Sequence, residues 1–131
     1  YIYSKLFFMK EQFVLMMLQI QNQVKILHWQ TKGYSRHIAF GDIYSSMDEK
    51  IDSFVEVAMG KYGRFTLSES ERTLNLQNLS ELDLTVFLKT LKSNIIGIAN
   101  GLSQEKDTDL LNIKDEILAD VNKLSYLLTL E

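Results

Sequence analysis

The chain has 131 residues, of which 46% are hydrophobic and 24% charged, and this is the length and composition of one folded domain rather than of a disordered segment. It contains no cysteine, which excludes disulfides, thiolate metal sites and cysteine nucleophiles. A formal net charge of -3 gives no electrostatic argument for DNA or an anionic lipid surface as the main partner. We therefore expect a single domain over residues 1–131 that does not depend on nucleic acid or membrane.

Prolines are absent and glycines number only six. Proline ends helices and glycine weakens them, so this composition favours long helices. No run of eighteen apolar residues occurs, and therefore no transmembrane span is expected. The predicted location is cytoplasmic, or virion-associated if the protein is a structural component.

The first predicted helix covers about residues 4–30, and Gly33 is expected to stop it. Ser35 can cap the second helix, whose end lies between Gly60 and Gly63. Both helices carry apolar residues at steps of three and four, which is the pattern of one buried face. These residues are Phe13, Met17, Ile20, Val24 and Leu27 in the first helix, and Phe40, Ile43, Met47, Ile51, Phe54 and Ala58 in the second.

Residues 64–79 are polar and are interpreted as a long connection with at most one short helical turn. Ser80 and Asp83 then resemble a capping box that opens a third helix. The third and fourth helices are separated by a turn at residues 103–109. Their apolar stripes are Leu84, Leu88, Leu91, Ile95, Ile98 and Leu102, followed by Leu110, Ile113, Ile117, Val121, Leu124 and Leu128.

The sequence therefore predicts an all-α protein with four helices of roughly 20 to 27 residues. Short, long and short connections are typical of a ferritin-like four-helix bundle, in which a long crossover joins helices 2 and 3. A simple up-and-down bundle is the alternative arrangement.

Two histidines, His28 and His37, lie on either side of the first turn. The second helix carries Asp48, Asp52 and Glu56 on the side that continues from His37. Imidazole and carboxylate ligands together suit iron or zinc better than calcium. These five residues are the predicted metal ligands, with Asp48 as a substitute for one of the others.

Spacing shows that one chain cannot complete such a site. Fifteen residues separate His37 from Asp52, which is about 22 Å along a helix. An antiparallel two-fold partner could bring its own Asp52 beside this chain's His37. The metal hypothesis is therefore also a hypothesis of a dimer with two equivalent sites.

The run His28-Trp29-Gln30-Thr31-Lys32-Gly33, followed by His37 and the pair Asp52 and Glu56, resembles the Dps-like mini-ferritins. The resemblance covers about residues 13–63 with motifs and the remainder by helix count. The chain departs from the pattern at Gly41, where the family has an aspartate, and in the shorter segment between the histidines. The chain is therefore similar to a diverged mini-ferritin, of the kind that large viruses and phages carry.

This resemblance implies a subunit that assembles into a spherical dodecamer. It also implies a ferroxidase centre between two-fold-related subunits, with His28 and His37 from one chain and Asp52 and Glu56 from the other. Iron(II) would be oxidised there, commonly by hydrogen peroxide, and stored as a ferric mineral, and zinc could substitute for iron. Two alternatives remain open: a ferritin-like bundle without the centre that serves as a structural or virion-associated component, and a small adaptor that binds a partner helix.

Overall fold

The structure, a computed structural model, describes residues 2–67 and 72–131, with side chains from residue 12 onward in those ranges. Four α-helices make up the fold: α1 (Ile2–Gln30), α2 (Tyr34–Tyr62), α3 (Leu84–Gly97) and α4 (Thr108–Leu127). Two short 3₁₀ turns, Leu79–Glu81 and Ile98–Gly101, flank α3. The described residues contain no β-strand, so the predicted all-α four-helix fold is confirmed.

The predicted apolar stripes form the core. Every residue predicted for the stripe of α2 is buried, and so are the central stripe residues of the other three helices. A fully buried large apolar side chain stabilises a fold by about 1.5–3 kcal/mol relative to an exposed one. The most deeply buried of these side chains are Val24, Leu27, Phe40, Ile43, Met47, Ile95, Ile98, Leu110, Ile117, Val121 and Leu124.

α2 packs against both α1 and α4, and α4 packs in turn against α3. The Lys61 ammonium at the end of α2 donates to the Lys106 carbonyl just before α4. At the opposite end, Tyr34 at the start of α2 lines one groove together with Leu127 at the end of α4. α2 and α4 are therefore antiparallel, as are α1 and α2 across their short turn.

The long connection crosses the length of the bundle along α1. Its extended part, residues 72–79, is called the strap below. Glutamine side chains of α1 bind the strap, and glutamines later in α1 bind residues later in the strap. The strap therefore runs parallel to α1, and α3 begins beside the end of α1. The pairs are Gln19 with Asn75, Gln23 with Gln77, and Gln30 with Asn78 and Leu79. These bonds confirm the predicted crossover and exclude the simple up-and-down arrangement.

The first turn differs slightly from the sequence expectation, whereas the end of α2 agrees with it. Gly33 does not end α1 but occupies the N-cap position of α2, with extended backbone at φ -83°. Ser35, predicted as the cap, lies inside α2. α2 continues through Gly60 and ends at Tyr62, between the two glycines as predicted; Gly63 is its C-cap, and the φ of 90° at Gly63 lies in the region that favours glycine.

α3 is shorter than predicted. It has 14 residues, and its α-helical geometry gives way to a 3₁₀ turn after Gly97. Buried Ile98 continues the apolar stripe within that turn, so periodicity alone could not reveal the change. Asp83 itself caps α3 by accepting from the Val86 N–H, and the capping box belongs to the preceding 3₁₀ turn.

The short helical turn predicted within residues 64–79 falls partly on residues 68–71, which lie outside the described residues. The described parts of this connection before the Leu79–Glu81 turn are not helical. Among the described helices none is long and apolar enough to span a membrane.

Candidate metal centre

The two histidines meet across the turn between α1 and α2. His28 lies in the last turn of α1 and His37 in the first turn of α2. Their rings are stacked, with centroids 3.9 Å apart and planes inclined by 18°. Both side chains are half-buried. The short turn thus brings together the imidazoles that the sequence predicts as ligands.

Each ring is held by the backbone of the other histidine. The His28 Nδ1 lies 2.7 Å from the His37 carbonyl oxygen, and the His37 Nδ1 lies 2.8 Å from the His28 carbonyl oxygen. A carbonyl can only accept, so both Nδ1 atoms donate, and in the neutral ring Nε2 carries the lone pair. Metal-binding histidines characteristically donate their other ring N–H to such a group. The pair is therefore oriented to offer two Nε2 atoms as ligands.

The stack also determines how these nitrogens can bind. A ligand lone pair lies in the plane of its ring, and a metal–nitrogen bond is about 2.0–2.1 Å long. Planes inclined by only 18° with centroids 3.9 Å apart do not converge at that distance. In this arrangement the two imidazoles could bind separate ions but could not chelate one ion between them.

Gly41 explains the departure from the mini-ferritin pattern in physical terms. A β-carbon at this position would lie 2.9 Å from Cε1 and 3.0 Å from Nδ1 of His28. The space that an aspartate side chain would occupy there is filled by the His28 imidazole. This chain therefore has an imidazole where the resemblance expects a carboxylate.

Asp52 and Glu56 lie one turn apart on the exposed face of α2. A hydrogen bond with Asp52, together with the negative charge of Asp52, raises the pKa of Glu56 above its ordinary value. A bound cation would relieve this repulsion between two neighbouring carboxylates. The pair has the chemistry of a metal-binding edge that a partner could complete.

Asp48, predicted as a substitute ligand, is bound within its own chain. It accepts a hydrogen bond from the Gln21 side chain of α1. Asp48 and Asp52 line a groove between α1 and α2 with apolar neighbours, among them Leu18 and Phe65. This groove is a concave surface beside the acidic side chains.

The structure brings the histidines together and the acids together, but it does not join the two sets within one chain. Among the described residues no group of three histidine, aspartate or glutamate side chains could hold an ion. The separation of about 22 Å along α2 follows from helix geometry. A complete site of the predicted composition therefore requires a second molecule.

Lys25 lies over two aromatic rings, one of which belongs to Trp29, the neighbour of His28 in sequence. The Lys25 ammonium lies 5.3 Å from the ring centroid of Trp29 and 4.6 Å from that of Tyr44. Trp29 is 64% exposed and therefore lies outside the core of one subunit. The spacing of Lys25 and Trp29, one turn apart on α1, was the available sequence signal.

Two buried carboxylates lie elsewhere and join helices. Asp120 of α4 accepts from Ser46 and pairs with the Lys50 ammonium of α2 at 2.9 Å. Asp107, before α4, accepts from Tyr62 at the end of α2. Nothing in the sequence pattern distinguished these two carboxylates from surface acids.

Comparisons with known proteins identify a family. The chain is 26% identical over 121 residues to a protein of Enterobacteria phage T4 described as "Uncharacterized 14.6 kDa protein in mobD-ri intergenic region", covering 92% of this chain and 88% of that protein. This similarity agrees with the predicted phage connection. No solved structure matches the chain. Residues 28–128, from His28 to the end of the bundle, match the family described as "Family of unknown function (DUF5856)". The chain therefore belongs to the DUF5856 family.

Proposed function

We propose that this protein is a Dps-like, homo-oligomeric iron-binding protein that oxidises Fe(II) at a site shared between two copies of the chain. In this proposal one copy supplies His28 and His37 and the other supplies Asp52 and Glu56. Dimers with two equivalent sites assemble further into a closed shell that holds ferric mineral. Zinc could bind the same donors without redox chemistry.

The arrangement of the histidine pair is the observation that carries the proposal. A ring that donates from Nδ1 to a carbonyl keeps the Nε2 lone pair as an acceptor, which is the orientation typical of metal-binding histidines. Here both rings share this arrangement reciprocally, at 2.7 and 2.8 Å. Oriented imidazoles with available Nε2 atoms favour borderline transition-metal ions such as Fe(II) and Zn(II).

The distribution of charge and apolar surface supports a second copy as the source of the acids. Lys25, Lys32 and Arg36 lie near the histidine end of the α1–α2 face, whereas Asp52 and Glu56 lie towards its other end. An antiparallel two-fold arrangement would set the basic end of each copy against the acidic end of the other. It would also cover the exposed side chains of Leu18 and Trp29 on both copies.

The proposed reaction is a one-electron oxidation of each iron. Two Fe(II) ions each give one electron to hydrogen peroxide, whose O–O bond breaks to leave two hydroxide ions. Carboxylate oxygens of Asp52 and Glu56 are hard anionic donors that stabilise Fe(III), while neutral imidazole accepts Fe(II). The stacked rings allow one imidazole for each of two neighbouring ions.

A direct test adds Fe(II) and hydrogen peroxide to the purified protein and follows ferric absorbance. The expected result is oxidation faster than in buffer, and its loss in the His28→Ala/His37→Ala variant. Asp42→Asn is a matched control, because Asp42 is an exposed acid on α2 outside the proposed ligand set. A rate equal to that of buffer for the unmodified protein would contradict the enzymatic proposal.

The second candidate function is a non-catalytic, ferritin-like bundle that serves as a structural or virion-associated component. Two observations favour it: glycine replaces the expected aspartate at position 41, and a similar chain is found in phage T4. This function predicts a stable oligomer without bound metal. Elemental analysis that finds iron or zinc at one or more ions per histidine pair would contradict it.

A further inference from the structure

Gly41 is an interior residue of α2 that faces the imidazole of His28. Glycine at such a position weakens a helix because it loses more conformational freedom than alanine on folding. A positive φ does not explain it, since Gly63 is the glycine with positive φ in the described chain. What Gly41 supplies is space, because a β-carbon there would lie 2.9 Å from the His28 Cε1 atom.

A ring at the end of a side chain can usually move away from a new methyl group. The His28 ring is restrained from two directions, by the 2.7 Å bond from Nδ1 to the His37 carbonyl and by the stack at 3.9 Å. A side chain at position 41 would displace the ring only at the expense of both contacts. The helices themselves need not move, so the effect would fall on the ring.

We infer that Gly41 is a positioning residue for the His28 ligand: the missing side chain lets the ring rest on α2 with Nδ1 donating and Nε2 available to a divalent transition-metal ion. The ligand role of the ring rests on the proposed function, whereas its orientation does not. Among the glycines of α2, Gly41 has this contact, whereas a β-carbon added at Gly60 would have nothing within 4 Å.

The test measures the ring nitrogens of both histidines by ¹⁵N NMR in the metal-free protein, together with Co(II) binding followed by visible absorption. In the unmodified protein both rings should be protonated at Nδ1 when neutral. In Gly41→Ala the His28 ring should lose this single tautomer, and Co(II) affinity should fall by about 10- to 100-fold, the usual effect of disturbing a ligand's supporting contacts. Gly60→Ala, on the same helix, should leave both measurements unchanged.

A second pair of variants distinguishes an effect on the His28 ring from a general folding defect in Gly41→Ala. In the His28→Ala background the ring is absent, so adding Gly41→Ala should not lower the midpoint of thermal unfolding further. An equal loss of stability in both backgrounds would show that something other than the His28 ring occupies the space, and would overturn the inference.

The two measurements separate this inference from the proposed function. An unmodified protein that binds no Co(II) would contradict the metal proposal and the ligand role of the ring. A Gly41→Ala protein with unchanged ring spectra and unchanged Co(II) affinity would overturn the positioning role of Gly41, whatever the protein does with iron.

Discussion

At the scale of single residues, Asp107 is a buried carboxylate with three polar partners. It is 1% exposed and accepts hydrogen bonds from the Tyr62 hydroxyl and the Ser103 N–H, and it pairs with the Lys61 ammonium at 3.1 Å. Burial acts to raise the pKa of Asp107, but these bonds outweigh burial and lower it. The carboxylate therefore joins the end of α2 to the start of α4 in its charged form.

Replacing this carboxylate should weaken the joint between the two helices. Asp107→Asn removes the charge and leaves donors without a full partner, which is expected to lower the free energy of unfolding by about 1–3 kcal/mol. Urea unfolding followed by circular dichroism measures this change. Asp115→Asn is a suitable control, since Asp115 is an exposed acid of α4.

The lowered pKa of Asp107 also predicts how stability depends on pH. Its contribution is fully present above the unfolded-state value, near 3.8, and is lost as pH falls through the lower folded-state pKa. The unmodified protein should therefore lose stability on acidification more steeply than Asp107→Asn below about pH 4. If the free energies of unfolding of the two proteins fall equally as the pH is lowered, this role of Asp107 is contradicted.

Tyr62 gives the opposite dependence on pH. Burial, with a smaller contribution from its hydrogen bond to Asp107, raises the pKa of Tyr62 to about 12. Because the folded protein holds this proton more tightly, the stabilisation is present below the ordinary value of 10.0 and is lost as pH rises towards 12. In Tyr62→Phe the loss of stability between pH 10 and about 12 should be smaller than in the unmodified protein. Midpoints of thermal unfolding measured across this pH range test the difference.

At the scale of elements, the strap is held to α1 by side chains rather than by a strand. Gln23 both donates to the Gln77 carbonyl, at 2.9 Å, and accepts from the Gln77 N–H, at 2.8 Å. Gln19 makes the same two bonds with Asn75. The two glutamine side chains thus act on the strap as the edge of a β-sheet would.

This ladder predicts an uneven pattern of hydrogen exchange along the strap, with alternation over residues 75–77. The N–H groups of Asn75, Gln77 and Leu79 are bonded to α1 side chains and should exchange slowly, whereas that of Leu76 should exchange fast. Gln23→Ala should remove protection at Gln77. If protection is uniform along the strap, or survives at Gln77 in this variant, the ladder is not what holds it.

The elements show where sequence patterns are sufficient and where they fail. Stripes at steps of three and four predicted all four helices because burial of one face sets that period. The apolar stripe of α3 continues through Ile98 in the 3₁₀ turn, so the stripe did not predict that α3 ends at Gly97. The strap was predicted as a connection but not its path, because that path depends on bonds between glutamine side chains and a backbone 49 to 56 residues away.

At the scale of the whole molecule, the connection lengths favoured the crossover topology over the up-and-down alternative, and the crossover is present in the structure. The proximity of His28 and His37 was also implied by the short turn between them. Their stacking was not, because it depends on Gly41 leaving room for a ring, a three-dimensional relation that residue spacing does not encode. For the same reason the sequence showed a departure at position 41 but not what fills the space.

The central claim concerns two molecules, so mixing two inactive variants tests it most directly. One variant is His28→Ala/His37→Ala and the other is Asp52→Asn/Glu56→Gln, unfolded together and refolded so that subunits are exchanged. Each mixed dimer would contain one site with both ligand sets intact and one with neither. We expect each variant alone to oxidise Fe(II) no faster than buffer and the refolded mixture to recover part of the activity. Mixed oligomers, verified by native mass spectrometry, that remain inactive while the unmodified protein is active would contradict a site shared between copies.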